Sequence, residues 1–141
     1  TPDFRLIRRS LEKPVYKEKL RLRSYGRADR EHPVFMELKK KYRSIVYKRR
    51  LTLPYGRALD CLTGDCPWPE TQIGREIGYA MDFYPDLEPR VFLSYERDSW
   101  YAPESGLRIT FDDAMDVMED EATEDMEKMA AMLPSAFGQQ T

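Results

Sequence analysis

Lys17-Glu18-Lys19-Leu20-Arg21-Leu22-Arg23 sets a cation at every second position, with Leu20 and Leu22 between the later ones. In an extended chain successive side chains point to opposite faces, so the four cations share one face and the leucines the other. Like charges side by side on a strand repel each other unless water, carboxylates or a polyanion lies above them. The stretch predicts a β-strand with an apolar stripe toward a core and a cationic stripe built to hold a multiply charged anion.

The device recurs along the chain. Glu37 and Lys39 share a face opposite Val34, Met36 and Leu38; Lys48 and Arg50 share one in residues 44–50, with Arg49 turned away. Arg97 closes a candidate strand over 90–97, with Tyr95 and Glu96 beside it. Arg108 and Thr110 alternate with Leu107, Ile109 and Phe111. Strands are expected over about 16–25, 34–41, 44–50, 90–97 and 107–112. The short link between the second and third predicts an antiparallel hairpin.

Between these segments the apolar spacing becomes helical. Phe4, Leu6, Ile7 and Leu11 suit a short helix or turn before Pro14. Pro54 with Tyr55, Ala58, Leu59 and Leu62 predicts a helix ending near Gly64, and Ile73, Ile77, Tyr79, Ala80, Met81 and Tyr84 predict an amphipathic helix before Pro85. Residues 98–106 read as a link. Helices set between antiparallel strands indicate an α+β chain rather than a doubly wound one.

A length of 141 residues is that of one domain, with 41% hydrophobic and 34% charged residues. No run of about 18 apolar residues exists and the first residues lack a signal-peptide core, so a cytosolic setting and no membrane contact are expected. The net charge of −2 hides an asymmetry: residues 1–57 hold 18 Lys and Arg against 6 Asp and Glu, and residues 58–141 hold 5 against 19. The basic half is the candidate anion site. The acidic half is placed to shield it, dock on it or coordinate metal. A pI near 5.6 argues against a nucleic-acid partner, although Tyr25, Phe35, Tyr42 and Tyr47 offer stacking surfaces.

Cys61, Cys66 and His32 are too few for a structural zinc site. The cysteines read as two ordinary thiols, and His32 as a solvated loop residue. From Asp112 to Glu127 there are nine acids in sixteen residues, interleaved with Met115, Met118 and Met126. An acidic amphipathic helix or tail is expected there, open to a partner or to solvation, with a frayed terminus beyond Pro134.

The same blocks carry a family resemblance. Lys19-Leu20-Arg21-Leu22-Arg23-Ser24-Tyr25-Gly26, Val34-Phe35-Met36-Glu37-Leu38-Lys39-Lys40-Lys41, Val46-Tyr47-Lys48-Arg49-Arg50, Pro89 to Arg97 and Leu107 to Asp112 resemble, in order, the VTC domain. This is the polyphosphate polymerase domain of vacuolar transporter chaperone proteins and their bacterial relatives. The resemblance covers residues 1–112 and leaves 113–141 as a separate acidic, Met-rich part.

The resemblance implies a triphosphate tunnel metalloenzyme, whose antiparallel strands close into a barrel lined by charged side chains. It implies transfer of the γ-phosphoryl of ATP onto a polyphosphate chain with a divalent manganese or magnesium ion. Carried over by position, Arg21, Arg23, Lys39, Lys48, Arg97 and Arg108 would be the catalytic tunnel cations. Lys19, Arg50, Tyr95 and Thr110 would complete the substrate contacts, and Glu37 and Glu96 would bind metal or orient the cations. Phosphoryl transfer rests on positioning and charge neutralisation, which rows of Arg and Lys supply without a Cys or His nucleophile.

Family members open with a strand of alternating charge leading to a Tyr-Phe-Asp-Thr stretch, where this chain begins with Thr1-Pro2-Asp3, and they continue after the equivalent of Asp112 into further strands. The chain is therefore expected to be a fragment with open sheet edges, inviting self-association or closure by its own acidic tail. The alternative from another class is a non-catalytic module that binds polyanions or acidic proteins.

Overall fold

In a computed structural model, which describes residue 1 and residues 3–119, the chain runs through three helices and five strands. They are α1 (Arg5–Leu11), β1 (Tyr16–Arg23), β2 (Pro33–Tyr42), β3 (Ile45–Pro54), α2 (Tyr55–Thr63), α3 (Gln72–Phe83), β4 (Val91–Ala102) and β5 (Leu107–Glu119). Strands β1–β2–β3 form one antiparallel sheet in that order, and β4–β5 a separate antiparallel hairpin. The α+β architecture and the β2–β3 hairpin are as expected. Among the described residues the strands do not close into a barrel.

The central strand β2 fixes which face is inside. Val34, Met36 and Leu38 are each about 1% exposed, and the alternation passes to Leu53 of β3 and to Leu20 and Leu22 of β1. Helices α2 and α3 cover this face. Leu53, Tyr55 and Ala58 enclose Val34, while Ile77 and Ala80 enclose Met36 and Leu38. Full burial of side chains of this size contributes about 1.5–3 kcal/mol each, so the core holds the sheet flat-side-down and leaves its other face to solvent.

Local chemistry sets the helix ends. The first amides of α2 donate to the His32 and Arg30 carbonyls of the β1–β2 loop, and Gly64 ends α2 in the left-handed region at φ 86°. Thr71 caps α3 by accepting from the Gly74 amide at 3.0 Å. A Cβ on Gly74 would meet the Pro69 carbonyl oxygen at 2.0 Å, so glycine is what lets the incoming loop cross the first turn. That loop carries Trp68 into both halves of the core. Arg49, on the apolar face as its parity demands, shares Glu76 of α3 with Lys40 and clamps the edge of that layer.

The segment after residue 97 departs from expectation. Strand β4 continues through residues 98–102, which read as a link, and the turn occupies 103–106. Residues 112–119 are strand, not acidic helix, and β5 passes residue 112 without a break. Helical spacing of Met115 and Met118 is outweighed by pairing: residues 107–119 register against β4 from Ala102↔Leu107 to Val91↔Glu119. Tertiary pairing overrides a local pattern wherever a ladder and cross-strand contacts are available. Where Ser94 opposes Asp116 and Glu96 opposes Asp113, Ala114 takes φ 47° in a bulge. The remainder of the expected acidic helix and the frayed terminus after Pro134 lie outside the described residues.

Candidate functional site

The strand registers assemble the solvent face of β1–β3 in three rows. Lys19 opposes Lys39, which opposes Lys48; Arg21 opposes Glu37, which opposes Arg50; Arg23 opposes Phe35, which opposes Thr52. Seven of the residues singled out by sequence therefore share one surface. Alternation against Leu20, Leu22, Met36 and Leu38 puts them there, and the buried core prevents a register slip.

Glu37 organises the middle row. Its Oε2 accepts from Arg21 Nε at 2.9 Å and from Arg21 Nη2, and its Oε1 accepts from Arg50 Nε at 3.1 Å and Nη2 at 2.6 Å. Arg23 Nε lies 3.7 Å from Oε2. Burial raises the Glu37 pKa, but the hydrogen bonds from Arg21 and Arg50 and the charges of Arg21 and Arg23 outweigh it and hold the carboxyl below its usual range. The same contact raises Arg50. The Glu37 side chain is 13% exposed while those of Arg21 and Arg50 are 56% and 50% exposed. Each guanidinium has five N–H donors, so the outward ones remain available to an anion.

The lysine row has no such organiser. Among the described residues Lys19, Lys39 and Lys48 make no ion pair. Three exposed lysines in direct cross-strand opposition set like charges side by side with no carboxylate between them.

Aromatic rings brace the third row. Arg50 stacks over Phe35 at 4.9 Å and Arg23 over Tyr25 at 5.8 Å, and the two rings meet edge to face at 5.5 Å. The Arg23 hydrogen bond to the Tyr25 hydroxyl lowers the tyrosine pKa. Sequence reasoning gave these rings no part in positioning cations. The available signal was parity: Tyr25 and Phe35 each stand two residues from a charged residue of the face.

The hairpin contributes unequally. Arg97 donates from Nε and Nη2 to the two carboxylate oxygens of Asp112 at 2.5 and 2.7 Å and stacks over Tyr95 at 4.9 Å. Arg97 foremost, and the Arg23 charge last, lower the Asp112 pKa, while Tyr95 helps to raise that of Arg23. Thr110 and Arg108 lie on the same hairpin face, opposite Ser99 and Tyr101, but Arg108 is four residues farther along, roughly 13 Å. The structure does not bring Arg108 or Thr110 into the rows. Glu96 falls on the other hairpin face, opposite Asp113, apart from Arg97.

No group of three or more His, Cys, Asp or Glu among the described residues is placed to hold a metal ion. The carboxylate on the cationic face, Glu37, is engaged by three guanidiniums. Glu37 and Glu96 do not meet as one ligand set among the described residues, and Glu37 orients the arginines.

An open space of ≈ 980 Å³ wraps around β1, with Lys19, Arg21 and Arg50 lining its cationic side and Leu20, Leu62 and Met81 its apolar side. The family model of the VTC domain matches residues 1–137. The chain belongs to the VTC domain family. The match extends past residue 112, through the acidic segment that sequence reasoning had set apart. No curated protein and no solved structure matches the chain. Among the described residues of this VTC domain no helix is long and apolar enough to cross a membrane.

Proposed function

We propose that this VTC domain seats the phosphate chain of ATP or polyphosphate on the β1–β3 face and takes part in transfer of the ATP γ-phosphoryl to a growing polyphosphate. The observation that carries the proposal is the Lys19–Lys39–Lys48 row, three opposed ammonium groups without a carboxylate among the described residues. A chain of phosphates offers anionic oxygens at successive positions, which a row of cations meets better than a single charge would.

The roles divide by side chain. Arg21 and Arg50, aimed by Glu37, present fixed planar donors that grip phosphate oxygens in pairs. The lysines act as mobile point charges that follow the chain. In transfer, a terminal phosphate oxygen of the acceptor attacks the γ-phosphorus while the bond to the ADP oxygen breaks. The arginines hold the two phosphates in line and offset charge on the equatorial oxygens. Closure into a tunnel would require the β4–β5 hairpin, or strands beyond it, to roof the face and bring Arg97 and Arg108 inward.

The test is titration of the chain with inorganic polyphosphate at several salt concentrations, followed by incubation with ATP and measurement of polyphosphate formed. Binding that weakens steeply with salt and falls markedly in Arg21→Ala is expected. Binding indifferent to salt and to Arg21→Ala would remove the face from this role. The charge split between the halves favours a second reading, in which the face holds an acidic protein segment. An acidic peptide that outcompetes polyphosphate at matched charge would support that reading instead.

A further inference from the structure

Cys61 and Cys66 lie beneath the sheet, away from the anion face. Cys61 sits in the last turns of α2 and is 4% exposed, and Cys66 is partly exposed on the loop that follows. The backbone brings them together independently of the sulfurs. Gly64 reverses the chain, and the amides of Gly64, Asp65 and Cys66 all point to the Asp60 carbonyl, the last two at 2.8 and 3.2 Å. The two free thiols are left with Sγ atoms 2.8 Å apart. A bond of about 2.05 Å between them needs a small side-chain movement.

We propose that Cys61 and Cys66 form a reversible dithiol–disulfide couple that staples the end of α2 to the loop carrying Trp68. Burial, then the neighbouring Cys66 sulfur, push the Cys61 thiol up to about 12, against an opposing pull from Arg57. The more accessible Cys66 is the attacking group and the buried Cys61 the resolving one. With a small-molecule disulfide as oxidant, the Cys66 thiolate, its proton lost to solvent, attacks one sulfur. The oxidant's S–S bond breaks and a thiolate leaves to take up a proton. Cys61 then gives up its proton and attacks the Cys66 sulfur of the mixed disulfide, expelling the second small thiol. Two cysteine S–H groups and one external disulfide become one internal disulfide and two external thiols.

The consequence is mechanical. Trp68, two residues beyond Cys66, packs against both halves of the core, and Leu59 and Leu62 of α2 pack against the same halves. Oxidation adds a covalent tie between the Trp68 loop and α2 and restricts the unfolded chain, and reduction removes that tie.

The experiment incubates the reduced full chain in glutathione buffers of stepped oxidised-to-reduced ratio. It reads intact mass, free thiols and thermal unfolding. Expected are loss of two hydrogens and both free thiols in a monomer, a Tm higher by about 5 °C or more, and full reversal by reductant. A product that stops at the Cys66–glutathione adduct, a disulfide-linked dimer, unreactive thiols in the folded chain, or an unchanged Tm would each overturn the proposal. Cys66→Ser, at the part-exposed position, should fold and show a Tm independent of the buffer. A redox-dependent rise in Cys66→Ser would also refute it.

Discussion

Lys39 sits at the centre of the lysine row, with Lys19 across one strand interface and Lys48 across the other, and it is exposed. Two ammonium groups about 6 Å apart in water repel by roughly 0.7 kcal/mol, which screening over a Debye length of about 8 Å roughly halves. Lys39→Gln relieves two such repulsions. The free protein should gain about 0.7 kcal/mol and melt about 1–3 °C higher in physiological salt, and the gain should vanish near 1 M salt, where the screening length is about 3 Å. Binding should move the other way. Losing a central contact should weaken polyphosphate binding about three- to tenfold, or roughly 0.7–1.4 kcal/mol. It should flatten the dependence of log affinity on log salt by about 0.7, as for one fewer counterion released. Circular dichroism melts at low and high salt, with calorimetric titrations of inorganic polyphosphate across the same range, measure all three. A variant that melts lower than wild type and binds polyphosphate with unchanged affinity and slope would refute the assignment, because the lysines would then be structural rather than held in store for an anion.

Glu37→Gln should destabilise the fold by about 1–2 kcal/mol, since three guanidiniums lose the negative charge they share and one of its two acceptor oxygens. The wild-type pKa is depressed in the folded state, so its contribution is complete above the ordinary value of 4.5 and lost as pH falls through the lower folded value. The stability gap between wild type and Glu37→Gln should therefore close below pH 4.5 in a denaturation series, and a constant gap would refute the electrostatic origin. Arg21→Ala should weaken polyphosphate binding by about tenfold, whereas Arg108→Ala on the outer hairpin should leave it near wild type; equal losses in titration would mean that the hairpin closes over the face. Polyphosphate binding should survive excess EDTA, because guanidinium and ammonium groups hold the anion, and loss of binding on chelation would restore a metal to the site. Ile77→Ala, at a fully buried position under Met36 and Leu38, should cost about 2–4 kcal/mol in denaturant unfolding without changing bound polyphosphate stoichiometry.

The cationic face was legible because its signal is local. Parity along β1, β2 and β3 sorts Lys19, Arg21, Arg23, Glu37, Lys39, Lys48 and Arg50 from their apolar neighbours, and one buried face then fixes the register of all three strands. The role of Glu37 was half visible. Its place among cations could be read, but not that three guanidiniums would occupy both its oxygens. The hairpin was the poorest in signal. Residues 98–102 and 112–119 offer few β-branched residues and many acids, and their strand state comes from pairing with each other. The thiol pair read as two ordinary cysteines because their contact depends on a chain reversal at Gly64 and three amides gathered on one carbonyl.

By itself the sequence determined the α+β class, the apolar and cationic sides of each strand of the first sheet, and the family, since alternation and block order are written residue by residue. The tertiary structure alone decided which cations stand opposite one another, which are neutralised and which are not. Repulsion, guanidinium–carboxylate pairing and thiol approach are set by distances of a few ångströms between residues far apart in sequence. Arg97 and Lys39 look alike as links in a chain, but in the fold one is held by Asp112 and the other faces two like charges.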